Sequence, residues 1–228
     1  MHSKQFIFSQ MIEFIDKYEF GKCVNRYNGD YRNHGLTCWN QFLQLLFGQI
    51  TTQNSIRMIC VCLKVHRRKH YHLGIKKLVN HTTLTRANES RNWRIFADFG
   101  NYLVTKVRPL YANISLPNLN IENEIYALDS TSISVSINLF TWAAGKYDRG
   151  AVKMHTLLNL RGSIPEFIWI TDGKCHDSNV LDEIIFYANA IYLMDKAYVD
   201  FEALFRMNNA GAFFVTRAKE RMRYEVVE

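Results

Sequence analysis

The stretch PLYANISLPNLNIEN, residues 109–123, divides the chain into two parts with different hydrophobic periods. It holds two of the three prolines and several asparagines, residues that interrupt regular structure and favour turns. Upstream, apolar residues recur at helical spacing. Phe6, Ile12 and Ile15 do so in QFIFSQMIEFIDKY, and Trp39, Phe42, Leu43, Leu46 and Phe47 in CWNQFLQLLFGQI. TTQNSIRMICVCLKV predicts another helix, with Thr51 or Thr52 as its N-cap. After the break at Gly74, IKKLV predicts a short helix, NHTT a turn, and RANESRNWRIFADFGNYLVTKV a longer helix capped by Thr83 or Thr85. Downstream the spacing drops to two. EIYALDSTSISVS, AVKMHTLLNL and IPEFIWITDG predict three successive strands. DSNVLDEIIFYANA then predicts an amphipathic helix capped by Asp177 or Ser178, IYLMD a buried strand, FEALFRMNNAG a helix stopped at Gly211, and AFFVTRAK a last strand.

The expected organisation is therefore α+β: a helical part over residues 1–110, a linker over 111–123, and a β-β-β-α-β-α-β part over 124–228. Three consecutive strands followed by crossovers are the order of a ribonuclease H-like sheet, in which the first and fourth strands are neighbours. Two similar phrases, EIYALDSTS and AIYLMDKAY, each end an apolar run on an aspartate, Asp129 and Asp195. The strand order predicts that these two acids meet at adjacent strand ends.

With 48% hydrophobic and 14% aromatic residues, the composition is that of a globular chain. No run reaches the ~18 uninterrupted apolar residues of a membrane span, and five cysteines without a regular framework fit a reducing compartment. A cytoplasmic protein is expected. Charge is unevenly divided, with 17 Lys and Arg against 6 Asp and Glu in residues 1–110, and 11 against 15 in residues 111–228. A basic half joined to an acid-bearing half suits a polyanion grip attached to a cation-holding site, although a solvated basic face has the same composition.

Two carboxylates at neighbouring strand ends can hold Mg²⁺, which prefers carboxylate oxygens, keeps several waters and accepts phosphate as a further ligand. A pair of such ions supports phosphoryl transfer. Capping a loop or helix is the structural alternative for each acid. A helix over 85–98 is a candidate DNA-reading element within a helix-turn-helix, with Arg86, Arg91 and Arg94 on it, and an ordinary helical bundle fits the same pattern. Arg67, Arg68 and Lys69 form a further basic stretch suited to phosphates. Lys153 and His155 alternate along one strand face and can approach DNA, or simply form a polar exposed face. Asp172, His176 and Asp177 in TDGKCHD can join a metal or DNA contact, while Asp172 also reads as a turn residue and Asp177 as an N-cap; Asp200 reads as the cap of the following helix. Cys60, Cys62, His66 and His70 fall within one apparent helix and lack the loop of a structural zinc finger. GKYDRGAVK lacks the Lys-Ser/Thr of a phosphate loop.

The segments ALDSTSISV, GAVKMHTLLNL, ITDGKCHDSNVL and LMDKAYVDFEALFRMNNAGAFFVTRAKE together resemble the DDE transposases of bacterial insertion sequences, in the branch named after insertion sequence four. LTCWNQFLQLLFGQIT, YHLG and TTLTRANESRNWRIF are similar to the helical N-terminal domain of that branch. The resemblance implies that Asp129 and Asp195 are the first two catalytic acids and bind Mg²⁺ or Mn²⁺, two ions in the complete site. It implies cutting at transposon ends and joining to target DNA, with terminal inverted repeats and target duplex as partners, and a homodimer on DNA at the bacterial nucleoid. The family's third acid is a glutamate in Y-x2-R-x3-E-x6-K. Arg221 and Glu225 have the R-x3-E spacing, but Ala218 stands where the tyrosine belongs. A chain truncated before the glutamate is the expectation. A DNA-binding remnant that inhibits a full-length relative is the alternative. A two-acid glycoside hydrolase gives no reason for the basic half.

Overall fold

A computed structural model describes residues 7–33, 35–111, 121–135, 150–220, 222, 223 and 225. The chain forms two compact units, Met1–Leu103 and Val104–Glu228. Most of the expected 111–123 linker lies outside the described residues.

The first unit is helical: α1 (Ile7–Glu13), α2 (Lys17–Arg26), α3 (Cys38–Ile50), α4 (Ile56–Val65), α5 (His81–Ser90) and the start of α6 (Arg94–Tyr111). The continuous first helix expected from periodicity is broken at Asp16. Its carboxylate accepts the Tyr18 and Glu19 N–H groups at 3.0 and 3.1 Å and so starts a new helix. Thr51 closes α3, and Ser55, whose hydroxyl accepts from Met58 N at 3.2 Å, caps α4. The expected caps at Thr51 or Thr52 are thus corrected to Ser55. Gly48 lets α3 and α4 approach, since a Cβ there would lie 2.3 Å from Ile59 Cδ1. Phe20 anchors the aromatic core, with ring centroids of Phe99, Phe42 and Trp39 at 5.1, 5.2 and 5.3 Å.

Two further expectations are corrected. Residues 75–80 form no helix, so the helix-turn-helix is not formed there. The long helix over 86–107 is two helices, α5 with N-cap Asn80 and α6, separated at Arg91–Trp93. The Asn92 carboxamide accepts the Arg94 N–H at 3.1 Å and starts α6 afresh, which interrupts the candidate helix 85–98.

The second unit holds β1 (Ile125–Val135), β2 (Gly150–Asn159), β3 (Ile164–Asp172), β4 (Ile191–Met194), α7 (Phe201–Asn209) and β5 (Phe213–Val215). The strands form one sheet in the order β3-β2-β1-β4-β5. β1, β2 and β3 are antiparallel neighbours, whereas β4 runs parallel to β1 and β5 parallel to β4. That is the mixed α+β arrangement of a ribonuclease H-like core. Leu128, Leu157, Tyr192 and Met194 on one face pack with Val180, Leu181, Tyr198, Leu204 and Met207. The helix expected over 177–190 is a 3-10 segment, Asp177–Asp182, capped by His176. Its apolar spacing ends at Ile184, beyond which Ile185 and Tyr187 are exposed and Asn189 adopts a φ of 62°.

Candidate active site

The phrases ending on Asp129 and Asp195 form the parallel neighbours β1 and β4. Tyr126 and Leu128 pair with Tyr192 and Met194, all four are buried, and the next residue in each segment is the aspartate, within β1 for Asp129 and just past the end of β4 for Asp195. Period two then turns both acids away from that core. Asp129 is exposed and stands opposite Thr156 of β2. Asp195 caps the short turn Lys196–Tyr198, and its Oδ1 accepts the Lys196 N–H at 2.5 Å. The same oxygen accepts from Arg217 Nη2 at 2.7 Å. The Arg217 guanidinium, with help from the Lys196 N–H, holds the Asp195 carboxyl below its ordinary value.

Leu128, Asp129, Met194, Asp195, Thr216 and Arg217 border a depression of about 400 Å³ at these strand ends. Among the described residues no group of three or more His, Cys, Asp or Glu side chains could hold a metal ion. The donor set is two solvent-facing carboxylates, which fits a hard oxygen-seeking cation that completes its shell with water or phosphate. Glu225 is exposed and lies in no helix or strand, and Arg221 lies outside the described residues.

Behind the acids, on the covered face, lies a polar network. Lys153 Nζ donates to Cys175 O at 2.7 Å and to Asp177 Oδ1 at 3.1 Å. The Ser130 hydroxyl donates to the same Asp177 oxygen at 3.3 Å. His155 is fully buried, with Nε2 3.2 Å from Thr171 Oγ1 and Nδ1 3.5 Å from the Tyr198 hydroxyl. Burial lowers the His155 pKa and raises that of Tyr198 to about 12. Lys153 and His155 do share a face, but it is the covered one, so the expected exposed polar face is corrected. Leu157, on the same alternation, is a core residue and marks that side.

The other predicted positions are dispersed. Asp172 makes a turn, accepting Lys174 and Cys175 N–H groups at 2.8 Å each, and Asp200 caps α7 through Ala203 N at 3.0 Å. Asp177 is the first residue of its 3-10 segment, not the cap. Arg67, Arg68 and Lys69 form an exposed 3-10 turn after α4, and Arg86 and Arg94 are exposed on α5 and α6. Arg94 stacks on Trp93 at 4.9 Å from the ring centroid. Arg91 differs. Its side chain is 10% exposed, it donates to Gln41 Oε1 at 2.5 Å and to Leu36 O, and Asp30 lies 3.8 Å away. That guanidinium ties α3 to the α5–α6 break and does not face solvent. Sequence reasoning missed Arg217 and Tyr198. Continuing the strand alternation past Val215 gives Arg217, which is the signal that could have found it.

Comparison with known proteins agrees with this architecture. Residues 121–227 match the family described as "Transposase DDE domain", and residues 3–76 match one described as "Domain of unknown function (DUF4372)". Over 100 residues the chain is 32% identical to protein y4zB of Sinorhizobium fredii (strain NBRC 101917 / NGR234), named as a transposase, covering 44% of this chain and 28% of that protein. Over 105 residues it is 29% identical to a Geobacillus stearothermophilus protein named as a transposase for insertion sequence element IS5377, covering 46% of this chain and 28% of that protein. The match thus spans 28% of the length of each of these curated relatives. Residues 121–227 are thus similar to the transposase DDE domain, and the sheet order agrees with that match.

Proposed function

We propose that this chain acts in DNA transposition, by divalent-cation-dependent phosphoryl transfer that cuts the ends of an insertion sequence and joins them to target DNA. The observation that carries the reading is the register of β1 on β4, which gives Asp129 and Asp195 matching positions one residue beyond the Leu128–Met194 pair. In this reading both carboxylates hold Mg²⁺ or Mn²⁺, two ions in the full site. When bound, such ions activate the attacking oxygen and stabilise the leaving one. The chain's own residues orient the ligands: buried Leu128 and Met194 fix the strand ends, and the Lys196 N–H aims the Asp195 carboxylate.

The partner is double-stranded DNA, the terminal inverted repeats and the target, bound by a homodimer in the bacterial cytoplasm at the nucleoid. Exposed Arg67, Arg68, Lys69, Arg86 and Arg94 supply phosphate contacts in the basic first unit, with the steep salt dependence that counterion release brings. Arg91 is left out of this set because its charge is engaged within the unit.

The test is a Mn²⁺ titration of the full chain with Asp129→Asn and Asp195→Asn, using circular dichroism to check the fold. Each substitution is expected to weaken Mn²⁺ binding at least about tenfold. Equal binding in wild type and both variants would overturn the site. For the DNA partner, Arg94→Glu is expected to lower duplex affinity and flatten its salt dependence in a gel-shift series. An unchanged shift would remove α6 from the DNA surface.

A further inference from the structure

We infer that Arg217 is a resident counter-cation that occupies Asp195 until a divalent cation takes its place, and that DNA phosphate captures the guanidinium so released. The inference rests on the reading of Asp129 and Asp195 as cation ligands.

Register brings the arginine to the acids. Ala127, Leu193 and Val215 form one row across the three parallel strands β1, β4 and β5. Two residues further along the chain from these come Asp129, Asp195 and Arg217, the last two just past the ends of β4 and β5. The alternation that turns both carboxylates out of the core turns the guanidinium out with them, and all three border the same depression. Arg217 Nη2 lies 2.7 Å from Asp195 Oδ1. A dication that binds this carboxylate meets a second positive charge already seated on it, and the two repel.

The contact is a competitor and not a lock. The Arg217 side chain is 75% exposed and that of Asp195 46%. Exposed ion pairs of this kind are weak, because water screens the attraction and holding a long side chain costs entropy. The guanidinium can therefore leave at small cost. It is also planar and forked, a shape that takes two phosphate oxygens at once. A DNA phosphate at the strand ends then draws Arg217 from Asp195 while offering its own oxygens to the cation. Metal and DNA each favour the other, and linkage makes the coupling reciprocal.

The experiment is a Mn²⁺ titration of the full chain, followed by free-Mn²⁺ electron paramagnetic resonance, for wild type, Arg217→Gln, Arg217→Lys and Asp195→Asn. It is run alone and then with a short DNA duplex. Without DNA, Arg217→Gln is expected to bind Mn²⁺ about two- to fivefold more tightly than wild type, the scale of an exposed ion pair. Arg217→Lys, which keeps the charge, is expected to stay near wild type. Duplex is expected to tighten Mn²⁺ binding more in wild type than in Arg217→Gln. A purely supporting role for Arg217 has the opposite sign, because losing it would loosen Asp195 and weaken the ion. If binding depends on Asp195 but Arg217→Gln does not tighten it, the competition is overturned and the metal site stands. If Mn²⁺ binding is indifferent to Asp195, both readings fall.

Discussion

On one face of the sheet Leu128, Leu157, Tyr192 and Met194 are all less than 10% exposed, whereas on the other Ile168, Ile170 and Val215 are each more than half exposed. The strands alternate apolar residues onto both sides, so composition alone does not distinguish the faces. The difference lies in what packs against them. The first face meets the 3-10 segment Asp177–Asp182 and α7, which contribute Val180, Leu181, Leu204 and Met207. Polar groups on that face are tied to one another, as Lys153 is to Asp177 and His155 to Thr171. On the second face Asp129 and Asp195 stay in water, where carboxylates keep their charge at little cost. Rigidity and chemistry are thus divided: the covered face fixes the strand positions, and the open face leaves ligand oxygens accessible to ions and phosphate.

The largest test of that division compares Met207→Ala with Ile170→Ala. Met207 is fully buried, and removing its side chain leaves a cavity that should cost about 2–5 kcal/mol. Ile170 is 59% exposed, and its truncation should stay within about 0.5 kcal/mol. Urea denaturation of the two variants measures both. Similar losses would mean that the open face is covered in solution, and the contrast between the faces would fail.

The faces were only partly legible in the sequence. Asp129 and Asp195 stood out because each closes an apolar run of period two, and strand order made the runs neighbours. Lys153 and His155 misled because alternation says which residues share a side but not which side is covered; the packing segment lies about twenty residues downstream, around Asp177. Arg217 escaped because its place depends on β5 joining β4 in parallel, a long-range pairing that TRAK does not encode locally. In the first unit the apolar period continued through Asn92 and Trp93, while the Asn92 carboxamide capped Arg94 and broke the helix. Arg91 then looked like a surface charge on a helix that does not exist. Local capping chemistry and distant pairing, not hydrophobic pattern, decided these cases.

The smallest effect expected concerns pH and separates the faces by their charge states. His155 sits among Thr171, Trp169 and Tyr198, with Lys153 and Asp177 as the nearby charges. Burial is the main cause of its lowered pKa, the Lys153 charge adds to it, and Asp177 opposes. A base with a folded pKa below its unfolded value of 6.5 takes up its proton more readily in the unfolded chain. Stability from this residue is therefore fully present above 6.5 and is lost as pH falls from 6.5 toward the lower folded value. The slope in that window should reach at most about 1.4 kcal/mol per pH unit. His155→Gln, which cannot charge, should have lower stability at neutral pH but a flatter profile as pH falls below 6.5. Thermal or urea unfolding across that range reads the difference. A variant profile as steep as wild type would place the acid sensitivity elsewhere and show that the covered face tolerates a charged His155.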